Sequence, residues 1–218
     1  MNESTITMID YGGSNLRSVQ KAFEAVGADV LVTADPEAMR RARKLVLPGV
    51  GAFGAGMEAL RRRGLDEATI AAVGDGIPLL GICLGMQFLL EGSEEMGDHT
   101  GLGLITGRVV RFSESVSDDG RPLKVPHMGW NRILHDGRHP LLEGVPPGAY
   151  GYFVHSYYCA PEVTDYVLAE TDYGGRFASI IGSGHRFGIQ FHPEKSQSVG
   201  LQILRNFASM KVAKVYGI

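Results

Sequence analysis

The sequence predicts an α/β fold: a doubly wound, mostly parallel central sheet with flanking helices, and an additional antiparallel or mixed sheet portion in the second half. Two observations predict it. Between residues 5 and 91, short apolar β-rich runs alternate with helical patterns, as in consecutive βαβ units. After Gly103, strand patterns follow one another without intervening helices, which is typical of antiparallel or mixed pairing.

In the first half, each strand candidate is a short apolar run and each helix candidate follows one of them. The predicted strands cover residues 5–9, 29–33, 44–47 and 78–82. The predicted helices carry Leu16, Val19, Phe23 and Val26 at helical spacing, open at Pro36, or cover residues 84–91. The run at 78–82 is almost continuously apolar, which indicates a strand buried on both faces of a parallel sheet.

In the second half, six further strands are predicted, at residues 104–112, 130–134, 150–158, 167–171, 178–181 and 186–191. A last helix places Val199, Ile203, Phe207 and Met210 on one face, with Ser196 as its expected N-cap. Residues 113–121 are polar enough for an exposed hairpin tip. No segment resembles a linker, so we expect a single domain over residues 1–218.

Composition excludes several classes of function. The chain has 218 residues, of which 44% are hydrophobic and 21% charged, and this balance is globular and not disordered. Its net charge of -3 disfavours nucleic-acid binding, and its longest uncharged apolar stretch, residues 77–90, is too short to cross a bilayer. Two cysteines without metal-type spacing indicate free thiols in a reducing compartment. We expect a cytoplasmic protein that needs no metal and no cofactor.

The strongest chemical motif is G-x-C-x-G around Cys83. It lies between a predicted buried strand and a predicted helix, the setting of a nucleophile elbow. Amides at the start of that helix favour a thiolate, so Cys83 is the candidate nucleophile. Cys159 lies in a strand pattern with no elbow, and we expect it to be a buried core residue.

A thiolate nucleophile needs a base, and His192 is the best placed of seven histidines. It follows the strand pattern of residues 187–191, so the end of a sheet presents it. Glu194, two residues on, suits the third position of a triad because a carboxylate can orient the imidazole ring. The Leu84 amide and the glycine-rich segment at residues 48–54 are candidates for stabilising an oxyanion.

These motifs resemble those of class I (triad-type) glutamine amidotransferases, and the resemblance covers essentially the whole chain. The motifs that carry it are GICLGMQ at 81–87 and FHPEKS at 191–196. More narrowly, the sequence is similar to the family of glutaminase subunits of imidazole glycerol phosphate synthase. That similarity rests on DYGGSNLRSV at 10–19, LPGVGAF at 47–53, VPHMGWN at 125–131 and YFVHSY at 152–157.

The resemblance implies a role for each matching residue. Cys83 attacks the carboxamide of L-glutamine, His192 passes the proton to departing ammonia, and Glu194 orients His192. The region of Gly51 and the Leu84 amide form the oxyanion hole, and a peptide of the loop at residues 48–51 must turn inward to complete it. The glutamine ligands are Gln87 and the backbone of Ser156 and Tyr157. The positions near a partner interface are Asn15, Trp130, Asn131 and Lys195.

The implied partner is a separate (β/α)8-barrel cyclase subunit, which receives the ammonia and forms imidazole glycerol phosphate and an aminoimidazole carboxamide ribotide. Three alternatives remain open at this point. The same glutaminase chemistry can serve another acceptor, in sugar amidation or pyridoxal phosphate synthesis. A cysteine hydrolase can share the elbow. A flavodoxin-like binding module would instead hold a phosphate in the loop of residues 12–15, which lacks a full phosphate-binding pattern.

Overall fold

The computed structural model describes residues 5–13, 15–112 and 123–211. Within these residues the helices are α1 Leu16–Ala25, α2 Pro36–Arg40, α3 Phe53–Arg62, α4 Leu65–Gly74, α5 Leu84–Gln87 and α6 Gln197–Ser209. The strands are β1 Thr5–Ile9, β2 Asp29–Thr33, β3 Leu45–Gly49, β4 Leu79–Cys83, β5 Leu90–Ser93, β6 His99–Thr100, β7 Ile105–Arg111, β8 His127–Ile133, β9 Ala149–His155, β10 Tyr157–Pro161, β11 Val167–Asp172, β12 Arg176–Ser183 and β13 Arg186–Ile189. No described helix is long and apolar enough to cross a membrane.

Among the described residues, the central sheet has seven strands in the order β11-β12-β13-β4-β3-β1-β2. Strands β13, β4, β3, β1 and β2 pair in parallel, whereas β12 is antiparallel to both of its neighbours. A four-stranded sheet, β10-β7-β5-β6, and a two-stranded ribbon, β8-β9, lie beside it. The predicted fold class, a mostly parallel doubly wound sheet with an antiparallel or mixed portion from the second half, is confirmed.

Two apolar cores cover the faces of the central sheet. One packs α1 and α6 against it, and Phe23, Phe187 and Phe207 meet edge to face there. The other packs α3 and α4 and includes the fully buried Phe53 and Phe88. Because both faces are covered, β3 and β4 are buried along their whole length, as a parallel sheet requires. Because β1, β3 and β4 are parallel, their carboxyl ends lie at the same edge of the sheet.

Two predicted elements differ from the structure. The helix expected at residues 84–91 ends at Gln87, because Leu90 begins β5 and pairs with β7. The strand expected at residues 150–158 is two strands in different sheets, β9 and β10, which are separated at Ser156. Both breaks come from long-range strand pairing. The polar segment at residues 113–121 lies outside the described residues.

Candidate active site

The backbone at Cys83 forms the predicted elbow. Cys83 ends β4 and precedes α5 with φ +55° and ψ -112°, a conformation that a non-glycine residue rarely adopts. A Cβ atom at Gly81 would lie 2.4 Å from the Gly85 carbonyl oxygen, and one at Gly85 would lie 1.7 Å from the Leu47 oxygen. The two glycines of the motif therefore let the elbow helix lie directly on the sheet.

His192 and Glu194 pair as predicted, and Asn15 joins them. His192 Nδ1 lies 2.8 Å from Glu194 Oε1, and Asn15 Nδ2 donates to the same oxygen at 2.8 Å. Both side chains of the pair are almost completely buried. Asn15 precedes α1 in the left-handed region at φ +76° and makes no cap hydrogen bond, because its amide is directed at Glu194.

Electrostatics in this cluster favour a protonated imidazole. Burial opposes the charge on His192, but hydrogen bonding and charge attraction from Cys83 and Glu194 outweigh it and raise its pKa to about 9. Burial also opposes ionisation of Glu194, yet its hydrogen bonds from His192 and Asn15 lower its pKa. No described nitrogen or oxygen bonds His192 Nε2, so that side of the ring is left for Cys83.

Ser196 holds the backbone that carries His192. It was expected to cap α6, but its side chain makes no cap bond. Its hydroxyl instead donates to the His192 carbonyl at 2.7 Å and accepts from the Tyr152 amide at 2.9 Å. The His192 amide donates in turn to the Tyr152 carbonyl at 2.9 Å, so β9 fixes the position of the histidine.

A cavity of about 290 Å³ opens above the elbow. Its lining includes every predicted catalytic and glutamine-binding residue except Glu194, which lies behind His192. It also contains Glu95, which the sequence did not single out. The lining residues are Val50, Gly51, Cys83, Leu84, Gln87, Glu95, Pro126, Val154, His155, Ser156, Tyr157 and His192.

The Gln87 side chain is held by two acceptors. Its Nε2 donates to the Tyr157 carbonyl at 3.0 Å and to Gln190 Oε1 at 3.2 Å. Gln190 Nε2 lies 4.0 Å from Cys83 Sγ. Since both N–H bonds of Gln87 are used, its oxygen is the end that remains for a ligand.

Gly51, which was predicted to take part in an oxyanion hole, lies in the loop after β3. Gly51 has φ +104°, which favours glycine, and its neighbour Val50 also lines the cavity. Tyr11, which the sequence analysis missed, lies buried beneath this loop: a Cβ at Gly49 would be 2.8 Å from its hydroxyl. Burial and the charge of Cys83 raise the Tyr11 pKa to about 12, with a small opposite effect from the Val50 backbone.

The residues that the resemblance places near a partner are found in two settings. Trp130 is about half exposed, Tyr152 packs edge to face against it, and the Lys195 ammonium lies 5.8 Å from the Tyr152 ring centre. Asn15 contacts Glu194. Asn131 lies on the buried face of the β8-β9 ribbon, where it bonds His127 and the Asp172 carbonyl. Contact with a partner stays a prediction for all four.

Comparison with known families agrees with this fold. The model of the glutamine amidotransferase class-I family matches residues 7–210, and the chain belongs to this family. Two solved glutamine amidotransferases share the fold. One is 17% identical with a TM-score of 0.72 and covers 94% of this chain and 99% of its own. The other, from Thermotoga maritima, is 14% identical with a TM-score of 0.62 and covers 89% and 77%.

Within the family, the curated relatives are much closer. A protein of Salinibacter ruber is 50% identical over 213 residues and covers 97% of both chains. One of Geobacillus thermodenitrificans is 50% identical over 212 residues, which is 97% of this chain and 99% of the relative. Each is named imidazole glycerol phosphate synthase subunit HisH, and this chain falls within the HisH group.

Proposed function

We propose that this chain is the glutaminase subunit of an imidazole glycerol phosphate synthase. It hydrolyses L-glutamine to glutamate and ammonia for histidine biosynthesis. The observation that carries the proposal is the elbow cysteine facing a buried His192–Glu194 pair in a cavity of small-molecule size. The HisH relatives, half identical over nearly their full length, supply the biosynthetic setting.

In the first half-reaction the thiolate sulfur of Cys83, which is paired with protonated His192, bonds to the carboxamide carbon of glutamine. The C–N bond then breaks, and protonated His192 gives its proton to the departing nitrogen, so ammonia leaves and a thioester remains. The oxyanion of the tetrahedral intermediate requires N–H donors. The Leu84 amide, which follows the nucleophile at the start of α5, is the first of these.

In the second half-reaction water attacks the thioester carbon. His192, now neutral, takes a proton from that water, glutamate leaves, and the thiolate of Cys83 and the protonated His192 are restored. Glu194 keeps one ring nitrogen of His192 bonded in both steps, and Asn15 and Ser196 hold the pair in place. The second oxyanion donor comes from the loop at Gly51, whose backbone conformation suits a change of peptide orientation.

The amino-acid end of glutamine needs an acceptor for its ammonium and donors for its carboxylate. The Gln87 oxygen and the Glu95 carboxylate line the cavity as acceptors. One Glu95 oxygen already accepts the Phe53 amide at 2.6 Å, which fixes the side chain at the start of α3. Backbone amides of Ser156 and Tyr157 at the β9–β10 break are the donors that we assign to the carboxylate.

The ammonia acceptor is a (β/α)8-barrel cyclase subunit, which forms a heterodimer with this chain and makes imidazole glycerol phosphate and the aminoimidazole carboxamide ribotide. An exposed apolar surface on the β8-β9 ribbon supports docking of a protein there: Met128, Trp130 and Tyr150 are 63%, 47% and 49% exposed. Two free buried cysteines suit a reducing location, and we place the protein in the cytoplasm.

Ammonia release from glutamine, with and without the cyclase subunit, tests this function. We expect release in the complex, abolished by Cys83→Ala and kept by Cys159→Ala. Cys159 is the matched control because it is buried on β10, where burial raises the pKa of its thiol. Absence of release in the complex, or equal rates for the two variants, would refute the proposal. Stimulation by another amidation partner and not by the cyclase would refute the histidine pathway.

A further inference from the structure

Two buried histidines that the mechanism above does not use form a hydrogen-bonded chain from the β8-β9 ribbon to the glutamine cavity. His127 Nδ1 lies 3.1 Å from His155 Nε2, and His155 Nδ1 lies 2.8 Å from the Tyr157 carbonyl oxygen. Asn131 Nδ2 lies 3.2 Å from His127 Nε2. His127 and His155 are 3% and 6% exposed.

Both ends of this chain have a defined hydrogen-bonding direction. At the outer end, Asn131 Oδ1 accepts the Arg132 amide at 2.8 Å and Nδ2 donates to the Asp172 carbonyl at 2.9 Å, so its nitrogen faces His127 as a donor. At the inner end, the Tyr157 carbonyl is an acceptor. A neutral imidazole has one donor and one acceptor. Both histidines must therefore carry their proton on Nδ1.

A proton added to either ring would place two donors face to face at one junction. The environment opposes such a proton: burial lowers the pKa of His127 to about 4, and burial, against the hydrogen bond to Tyr157, lowers that of His155 to about 3. The rings are also confined. His127 stacks on Tyr173 at 4.0 Å and on Phe153 at 4.9 Å between ring centres.

At its inner end, the hydrogen-bonded chain is linked to Gln87 through the Tyr157 carbonyl. The Tyr157 carbonyl oxygen accepts both His155 Nδ1 and Gln87 Nε2, which uses its two lone pairs. With Tyr157 and Gln190 holding its NH2 group, Gln87 presents an oxygen, an acceptor, to the cavity. This polarity matches a ligand that offers N–H groups, such as the ammonium of an α-amino acid.

We propose that His127 and His155 are positioning residues that hold the Tyr157 carbonyl, and through it the Gln87 amide, in the orientation that binds glutamine. This role rests on the glutaminase function proposed above. It predicts an effect on KM more than on kcat, because neither histidine touches the reacting sulfur or His192 Nε2. It also assigns a function to Asn131, which lies at the outer end of the hydrogen-bonded chain.

Two variants at one position separate positioning from packing. His127→Phe keeps an aromatic ring between Tyr173 and Phe153 but removes both nitrogens. His127→Asn loses that stacking but keeps a donor near the position of Nδ1. In the complex with the cyclase, we expect His127→Phe to raise KM for glutamine about tenfold with kcat within twofold, the effect of one lost hydrogen bond. For His127→Asn, KM is expected to return most of the way to the value of the unaltered protein.

Equal KM values for His127→Phe and the unaltered chain, or equal impairment of both variants, would overturn the proposal. Nitrogen-15 NMR of the histidine rings in the full unaltered chain gives a test without any variant. At pH 7 we expect neutral rings with the proton on Nδ1 for both His127 and His155. A proton on Nε2 of either ring would refute the proposed direction of these hydrogen bonds. Absence of glutamine hydrolysis by the unaltered complex would instead refute the proposed function and leave the NMR result standing.

Discussion

At the scale of single residues, the proposed catalytic cluster allows the charge of Glu194 to be removed without loss of its hydrogen bonds. One oxygen of Glu194, Oε1, accepts from both His192 and Asn15, while Oε2 is buried without a partner among the described residues. A glutamine at this position keeps an oxygen for both donors and puts its NH2 group where no bond is lost. The charge alone is removed.

We therefore expect Glu194→Gln to fold and to lower the pKa of His192, since a neutral amide no longer stabilises the imidazolium. The rate of glutamine hydrolysis in the complex should fall by about 10- to 100-fold at unchanged KM. Steady-state kinetics and NMR titration of His192 measure the two effects. Asn15→Ala is the comparison, because it removes one hydrogen bond and no charge, so its loss should be smaller. An unaltered rate in Glu194→Gln would contradict the assignment.

The sequence singled out the residues of the proposed triad but not the side chains that support them. Cys83, His192 and Glu194 lie in short local motifs, and local motifs can be recognised without a fold. Asn15 meets Glu194 across 179 positions of chain, and Ser196 bonds β9 and not its own helix. Tyr11 and Glu95 likewise reach the site only after the sheet has formed. No local pattern distinguishes such residues from ordinary turn or surface residues.

At the scale of elements, the elbow depends on a close approach between the Cys83 turn and β3. A methyl group at Gly85 would overlap the Leu47 carbonyl, which β3 holds within the sheet, so the elbow and β3 cannot move apart without loss of packing or hydrogen bonds.

The bounds of the helices and strands also depend on strand pairing. The strands β1 and β2 were predicted to the residue from apolar runs, whereas α5 was predicted too long because Leu90 pairs with β7.

We expect Gly85→Ala to cost about 3 kcal/mol or more of folding free energy and to abolish glutaminase activity. Gly74→Ala is the matched control. It lies at the end of α4, where a new Cβ meets nothing within 4 Å, and alanine should stabilise the helix by up to about 1 kcal/mol. Denaturant unfolding of both variants checks this, and a Gly85→Ala chain as stable as the unaltered one would show that the elbow can relax.

At the scale of the whole molecule, buried histidines act on stability in opposite directions. His127 and His155 have pKa values near 4 and 3, below the ordinary value of 6.5. They favour the fold above pH 6.5 and lose that contribution as the pH falls, because the unfolded chain then binds more protons. The pKa of His192 is raised to about 9, so its contribution is complete below pH 6.5 and is lost as the pH rises toward 9.

The free energy of unfolding should therefore be greatest near pH 6.5 and decrease on both sides. On the acid side each buried neutral histidine costs up to about 1.4 kcal/mol per pH unit, and His135 and His139, whose pKa values burial also lowers, act in the same direction. Denaturant unfolding between pH 4 and 9 measures the profile. His127→Phe should flatten the acid side and His192→Asn the alkaline side, each without changing the other. A stability that stays constant from pH 6.5 to pH 4 would show that these rings can be protonated inside the fold, which is incompatible with the hydrogen-bonded chain from Asn131 to Tyr157.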